Sequence, residues 1–145
     1  MFKSGRNSNE DVENIAEILC EQYLPRVFQY MNHWLNDSRI AEELTMKALK
    51  KALINFNSCR KDEKKFSTGV FTCARNEILD YLKVNTVKPI LPGLSTQEQE
   101  VISLRLAAVV NNRMISRLLG LSESKVGTIV RQSLCKLRDS MEVPA

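Results

Sequence analysis

Apolar residues recur along this chain at the 3.6-residue spacing of helix faces, and nowhere do they alternate as in a strand. Asp11 to Tyr23 carries Val12, Ile15, Ile18 and Leu19 on one face. Pro25 suits the first turn of a second segment, in which Val27, Phe28, Met31, Trp34 and Leu35 continue the stripe. The cluster Asn36-Asp37-Ser38 interrupts it and offers caps for a third segment with a buried arc of Ile40, Ala41, Leu44, Ala48, Leu49, Ala52 and Phe56. Residues 57–65, NSCRKDEKK, have no period and read as a surface loop. Phe66, Val70, Phe71, Ala74, Ile78 and Leu82 then mark another helix, although Gly69 within it costs about 1 kcal/mol relative to alanine. The pattern predicts an all-α chain.

After residue 94 the pattern resumes with a different punctuation. Ser95 and Glu98 are spaced as a capping box, each side chain satisfying the other's backbone donor at a helix start, and Val101, Ile102, Leu104 and Leu106 give that helix its apolar side. In Asn112 to Arg138, Ile115, Leu118 and Leu119 form one face. Gly120 supplies a left-handed stop, and Ser122 can cap the next helix. On that next helix Val126, Ile129, Val130, Leu134 and Leu137 form the predicted inner arc, leaving Ser124, Lys125, Thr128, Arg131 and Gln132 to point outward. Two helices with so tight a corner and a third helix before them form a helix-turn-helix pattern. Such an outward face suits the major groove of duplex DNA, although helical hairpins with a glycine corner also occur in ordinary bundles.

The segment from Val84 to Gly93 holds Pro89, Pro92 and Gly93, lacks a period, and divides the chain into two small helical domains, 1–84 and 94–145, joined by a linker at 85–93. Nothing in it offers an apolar face for docking, so the two domains are expected to fold independently. Charge sharpens this division. Residues 1–85 hold 13 basic against 12 acidic side chains and residues 86–145 hold 8 against 5, so most of the net +4 lies on the helix-turn-helix side. That bias is mild, and favours specific reading or a helping partner over non-specific coating of DNA.

The four cysteines form no CxxC pair and there is one histidine, so neither a zinc site nor a triad is expected; no cofactor, metal or catalytic role follows. No membrane-length apolar run and no signal-peptide core is present, which predicts a cytoplasmic protein with reduced thiols.

Ala41-Glu42-Glu43-Leu44 resembles an A-E-D-L helix start, and Phe66, Ala74-Arg75-Asn76 and Asp80-Tyr81-Leu82-Lys83 fit F-x(7)-A-R-N-x(3)-D-x-L-[RK]. Leu94-Ser95 through Glu100-Val101, then Ile115, Leu119-Gly120-Leu121-Ser122, Val126 and Lys136-Leu137-Arg138, fall where the same family places its helix-turn-helix residues. The chain therefore resembles a bacterial RNA polymerase sigma factor of the sigma-70 family, small extracytoplasmic-function type.

The resemblance implies a non-catalytic promoter-specificity subunit whose partners are core RNA polymerase, promoter DNA and an anti-sigma factor. By position it implies that Glu43, Met46, Lys47 and Lys50 face polymerase, although a lysine-rich helix face is ordinarily just solvated. It places Asn57, Ser58, Arg60, Lys61, Lys64 and Lys65 in a loop holding a flipped base of the minus-ten element, with Asn76 and Asp80 beside the melted strand. Extruding a base costs a few kcal/mol, which a pocket and backbone neutralisation must offset. Ser124, Lys125, Thr128, Arg131 and Gln132 would read the minus-thirty-five element as duplex. Three positions depart from the family: Met46 and Lys47 replace a glutamine and an acidic residue, and Gly69 stands where tryptophan is usual. The recognition helix is also poorer in basic residues, with Gly127, Ile129 and Gln132 where the family often carries them. A sigma-like decoy that occupies a regulator without starting transcription is the alternative these departures keep open.

Overall fold

A computed structural model describes residues 14, 16–56, 58, 61–85 and 93–141. Val12 and Ile15 of the first expected stripe, and residues 86–92 of the expected linker, lie outside them. Among the described residues there is no strand. The elements bounded within them are six α-helices, α1 Leu24–Leu35, α2 Ser38–Phe56, α3 Glu63–Val84, α4 Thr96–Ile102, α5 Asn112–Leu119 and α6 Glu123–Met141, and two π-helical turns, Leu19–Tyr23 and Ser103–Ala107.

Local chemistry sets most of the boundaries. Pro25 sits in the first turn of α1, which ends at Asn36 in the left-handed conformation, φ 50°. Asp37 then accepts from the backbone N–H groups of Arg39 and Ile40, starting α2 one residue later. The Ser95–Glu98 capping box is formed in both directions. Gly120 ends α5 at φ 69°, and Ser122 accepts from Lys125 N–H at 3.0 Å to start α6.

In the N-terminal half α1, α2 and α3 pack around Val27, Tyr30, Met31, Ala41, Ala48, Ala52, Val70, Phe71 and Ile78, all fully enclosed. Tyr23 meets Phe66 and Phe71 edge-on, with centroids 5.8 and 5.9 Å apart. In the C-terminal half α4 packs on α6 and α5 on α6 around Val101, Ile102, Leu104, Ile115, Val126 and Ile129. Lys136 of α6 bonds the capping carboxylate of Glu98 at 2.8 Å, tying the last helix to the first of this half.

Three expectations change. Residues 57–65 are not loop throughout, because Asp62 accepts from Lys65 N–H and starts α3 at Glu63, so Lys64 and Lys65 lie in its first turn. Leu106 is exposed, because the wider winding of Ser103–Ala107 turns Ser103 and Leu104 inward instead. Leu134 is also exposed, and the inner arc of α6 runs through Val126, Ile129 and Ser133, whose hydroxyl is satisfied by the carbonyl of Ile129 at 2.7 Å.

The halves also touch, contrary to the expectation that nothing docks them. Helix α1 packs against the Ser103–Ala107 turn and α3 against α5, and the buried apolar residues of both halves form one cluster. The docking surface comes from helix faces, not from the linker whose composition set the expectation. Arg26 of α1 donates from Nε to the carbonyl of Ala108 at 2.8 Å and from Nη2 to that of Val109 at 3.0 Å. Val109 adopts φ 56°, a strained conformation for a β-branched residue that costs on the order of 1–3 kcal/mol.

Candidate nucleic-acid and partner interfaces

Helix α2 shows α3 and α1 one face and leaves another open. Because Ala41, Leu44, Thr45, Ala48, Leu49 and Ala52 turn inward, Glu43, Met46, Lys47 and Lys50 are all left exposed within one arc. Met46 and Lys50 line an apolar groove of about 410 Å³ with Ala16, Leu19, Leu24, Leu49 and Leu53. Glu43 and Lys47 stand outside that lining. Ile54, 70 % exposed, lies on the same arc two turns beyond Lys47. Sequence reading passed over Ile54, and its signal was an apolar residue placed off the buried arc. A surface that combines exposed Met and Ile with Lys and Glu suits a protein partner better than nucleic acid.

A second concave surface lies where the end of α2 meets the start of α3. It is a cleft of about 330 Å³ lined by Phe56, Lys64, Lys65, Thr68, Gly69, Thr72 and, from α5, Arg117. Its geometry explains Gly69. A Cβ there would lie 2.5 Å from Cδ1 and Cγ of the Phe56 ring, so the missing side chain lets that ring lie against the α3 backbone. Phe56 is accordingly half-buried instead of taking its expected place in the core. On α3, Lys65, Thr68, Thr72, Asn76 and Asp80 share one side, so the helical winding brings the basic first turn into line with Asn76 and Asp80. Asn76 and Asp80 are exposed, and Asp80 pairs with Lys83 at 3.4 Å. Thr68 and Thr72 donate to the carbonyls of Lys64 and Thr68, which leaves their oxygens free to accept. Ser58 and Lys61 are exposed; Asn57 and Arg60 lie outside the described residues. An aromatic ring, hydroxyls and several cations around one cleft can stack a base and neutralise its backbone. Phe56, Thr68, Thr72 and Arg117 were not foreseen as cleft residues.

Helix α2 is also pinned to α3 by an ion pair between Lys51 and the buried Glu77, which holds the lysine ammonium above its ordinary pKa. Burial pushes the nearby Cys73 thiol up, so it is no ready nucleophile.

In the C-terminal half, Ser124, Lys125, Arg131 and Gln132 are exposed on α6 and Thr128 is half-exposed. The Arg131 guanidinium donates to the Thr128 hydroxyl at 3.3 Å, and that hydroxyl donates to the carbonyl of Ser124 at 3.1 Å, so the three form one polar row. A Cβ at Gly127 would stand in ordinary van der Waals contact with the Arg131 guanidinium, 3.6 Å away. Arg113 of α5 reaches Glu123 at 3.7 Å, at the start of α6.

Residues 19–86 match the family model described as sigma-70 region 2. These residues form a sigma-70 region 2 domain, which places that part of the chain in the sigma-70 family. No curated protein and no solved structure matches the chain. The region 2 match takes in α1, α2 and α3, and therefore both the exposed arc of α2 and most of the Phe56 cleft. Region 2 belongs to transcription initiation and not to an enzyme family, and it implies binding of core RNA polymerase and promoter DNA. No described helix is long and apolar enough to cross a membrane.

Proposed function

We propose that this chain is a sigma-70 family promoter-specificity subunit of the small extracytoplasmic-function type. It binds core RNA polymerase through α2, captures the melted minus-ten element in the Phe56 cleft beside α3, and reads the minus-thirty-five element as duplex through residues 94–145. The observation that carries this reading is the region 2 match, which takes in both the exposed arc of α2 and most of the Phe56 cleft.

The arc of Glu43, Met46, Lys47 and Lys50, with Ile54, offers polymerase an amphipathic face beside an apolar groove. The cleft lined by Lys64, Lys65 and Phe56, continued along α3 by Asn76 and Asp80, suits an unpaired base with its phosphates, and Asn57, Ser58, Arg60 and Lys61 belong to the proposed loop that would hold that base. On α6, Ser124, Lys125, Thr128, Arg131 and Gln132 suit base edges and phosphates. Cytoplasmic placement and control by an anti-sigma factor complete the proposal.

Met46 and Lys47 favour a second reading, because they replace the residues with which the family meets polymerase. A decoy that has lost polymerase would bind a regulator through the same arc. Both side chains are exposed and away from caps, so changing them should alter folding by no more than about 0.5 kcal/mol. Affinity for core polymerase at one fixed salt concentration separates the readings. A sigma factor binds core tightly and loses affinity with Lys47→Glu. A decoy binds weakly or not at all and gains affinity with Met46→Gln and Lys47→Glu together.

A further inference from the structure

Two of the three cations lining the Phe56 cleft, Lys64 and Lys65, belong to the first turn of α3, and the third, Arg117, comes from α5. Ile115 anchors α5 in the apolar cluster and α5 packs against α3, which brings the exposed Arg117 into the cleft wall. Among the described residues no carboxylate lines the cleft. Nor is any of its three cations held in an ion pair with a described residue, whereas Lys51, Arg75, Lys83, Arg113, Lys136 and Arg138 all are. Three uncompensated positive charges around one concave surface of about 330 Å³ attract an anion.

The rest of the lining restricts where that anion can lie. The Thr68 and Thr72 hydroxyls direct their protons to the carbonyls of Lys64 and Thr68, at 2.8 and 2.7 Å, so toward the cleft they can only accept. A phosphate is repelled there, and a base edge bearing N–H groups is not. The half-buried Phe56 ring offers that base a surface on which to stack. The phosphates on either side of the base are then left to Lys64, Lys65 and Arg117.

We propose that Arg117 is a phosphate-binding residue of this cleft, so that the single-strand site is built by both halves of the chain and holds a strand without polymerase. The inference rests on the single-strand reading of the cleft and adds to it a residue from outside the matched region 2, residues 19–86. One phosphate contact on a single strand contributes about 0.7 to the slope of log affinity against log salt concentration, or about fivefold in affinity at about 0.1 M salt relative to 1 M.

The test measures binding of the full chain, with no polymerase present, to a fluorescent oligothymidine of about 12 nucleotides over a series of salt concentrations. We expect Arg117→Gln to lower the slope by about 0.7 and to weaken binding about fivefold at about 0.1 M salt, and Arg117→Lys, which keeps the charge, to hold the wild-type slope. Lys64→Gln with Lys65→Gln should lower the slope by about 1.4, and Arg138→Gln, outside the cleft lining, should leave it unchanged. An arginine with a merely structural role would weaken binding equally at every salt concentration. An Arg117→Gln slope equal to that of wild type overturns the inference; if the lysine pair still lowers it, the single-strand cleft stands without Arg117. Equal lowering by Arg117→Lys or by Arg138→Gln also overturns the inference. No strand binding by the wild type overturns it together with the cleft, while core polymerase affinity, measured separately, decides the sigma reading by itself. Should Arg117→Gln lose helix content by circular dichroism, Arg117→Met, which keeps the packing of the stem, takes its place under the same criteria.

Discussion

Changing Gly69 to alanine in the interior of α3 should destabilise the protein, against the ordinary rule for helix glycines. By propensity alone the change gains about 1 kcal/mol. The new Cβ, however, would stand 2.5 Å from two carbons of the Phe56 ring, whose rigid face meets it where a flexible chain end could have moved aside. Overpacking of this kind costs roughly 1–3 kcal/mol, so the net change is a loss of up to about 2 kcal/mol. The ring is half-buried and lines an open cleft, so part of the strain can be released by its swinging outward. A double-mutant cycle isolates the contact. In a Phe56→Ala background the clash is gone and Gly69→Ala should stabilise by about 1 kcal/mol, giving a coupling of roughly 1–3 kcal/mol between the two positions. Urea unfolding of the four proteins, followed by far-UV circular dichroism, supplies the free energies. Equal stabilisation by Gly69→Ala in both backgrounds would refute the packing argument, and with it the claim that Phe56 rests on the α3 backbone.

Further consequences can be measured separately. Arg131→Ala should weaken binding of duplex promoter DNA by about 1–3 kcal/mol if the guanidinium reads a base, and by a smaller, sequence-independent amount if it meets only phosphate; unchanged binding removes it from the interface. The bond from Lys136, with that from the Ser95 N–H, holds the Glu98 carboxyl below its ordinary pKa of 4.5. A depressed folded-state pKa stabilises above the unfolded value, so this contribution is present above pH 4.5 and is lost as pH falls from there through the lowered folded value. Glu98→Gln should flatten the acid side of the stability profile, and a profile identical to wild type would reject that linkage. Lys47→Glu should leave the thermal midpoint nearly unchanged while lowering core polymerase affinity, whereas a large loss of stability would show that Lys47 is not on an open face.

What was legible in the sequence was the chemistry that acts within a few residues. Pro25, Asp37, the Ser95–Glu98 box, Gly120 and Ser122 each fix a helix end by bonds or sterics that span no more than one turn. Asp62 does the same, yet it is hidden among charged residues, because the apolar period that announces α3 starts only at Phe66. The inner arc of α6 was misread for a related reason. Leu134 is the more apolar residue, but Ser133 falls on the packing side and loses little there once its hydroxyl bonds the carbonyl of Ile129.

The site divides in the same way. Exposure of the α2 arc and of Ser124, Lys125, Arg131 and Gln132 follows from period alone. The Phe56 cleft does not, since it depends on a contact between Phe56 and Gly69, and on Arg117 arriving from another helix. Arg26 reads as one more solvated charge until its carbonyl partners, 82 and 83 residues away, are placed beside it.

The most direct test of the central claim is transcription reconstituted from purified core RNA polymerase, this chain and a library of promoter fragments. The account predicts transcripts only when the chain is present, starting downstream of fragments that share two short elements, and lost when Lys64, Lys65 and Arg131 are changed together to alanine. Stable binding to core with no transcript from any fragment, or no binding to core at all, would contradict it.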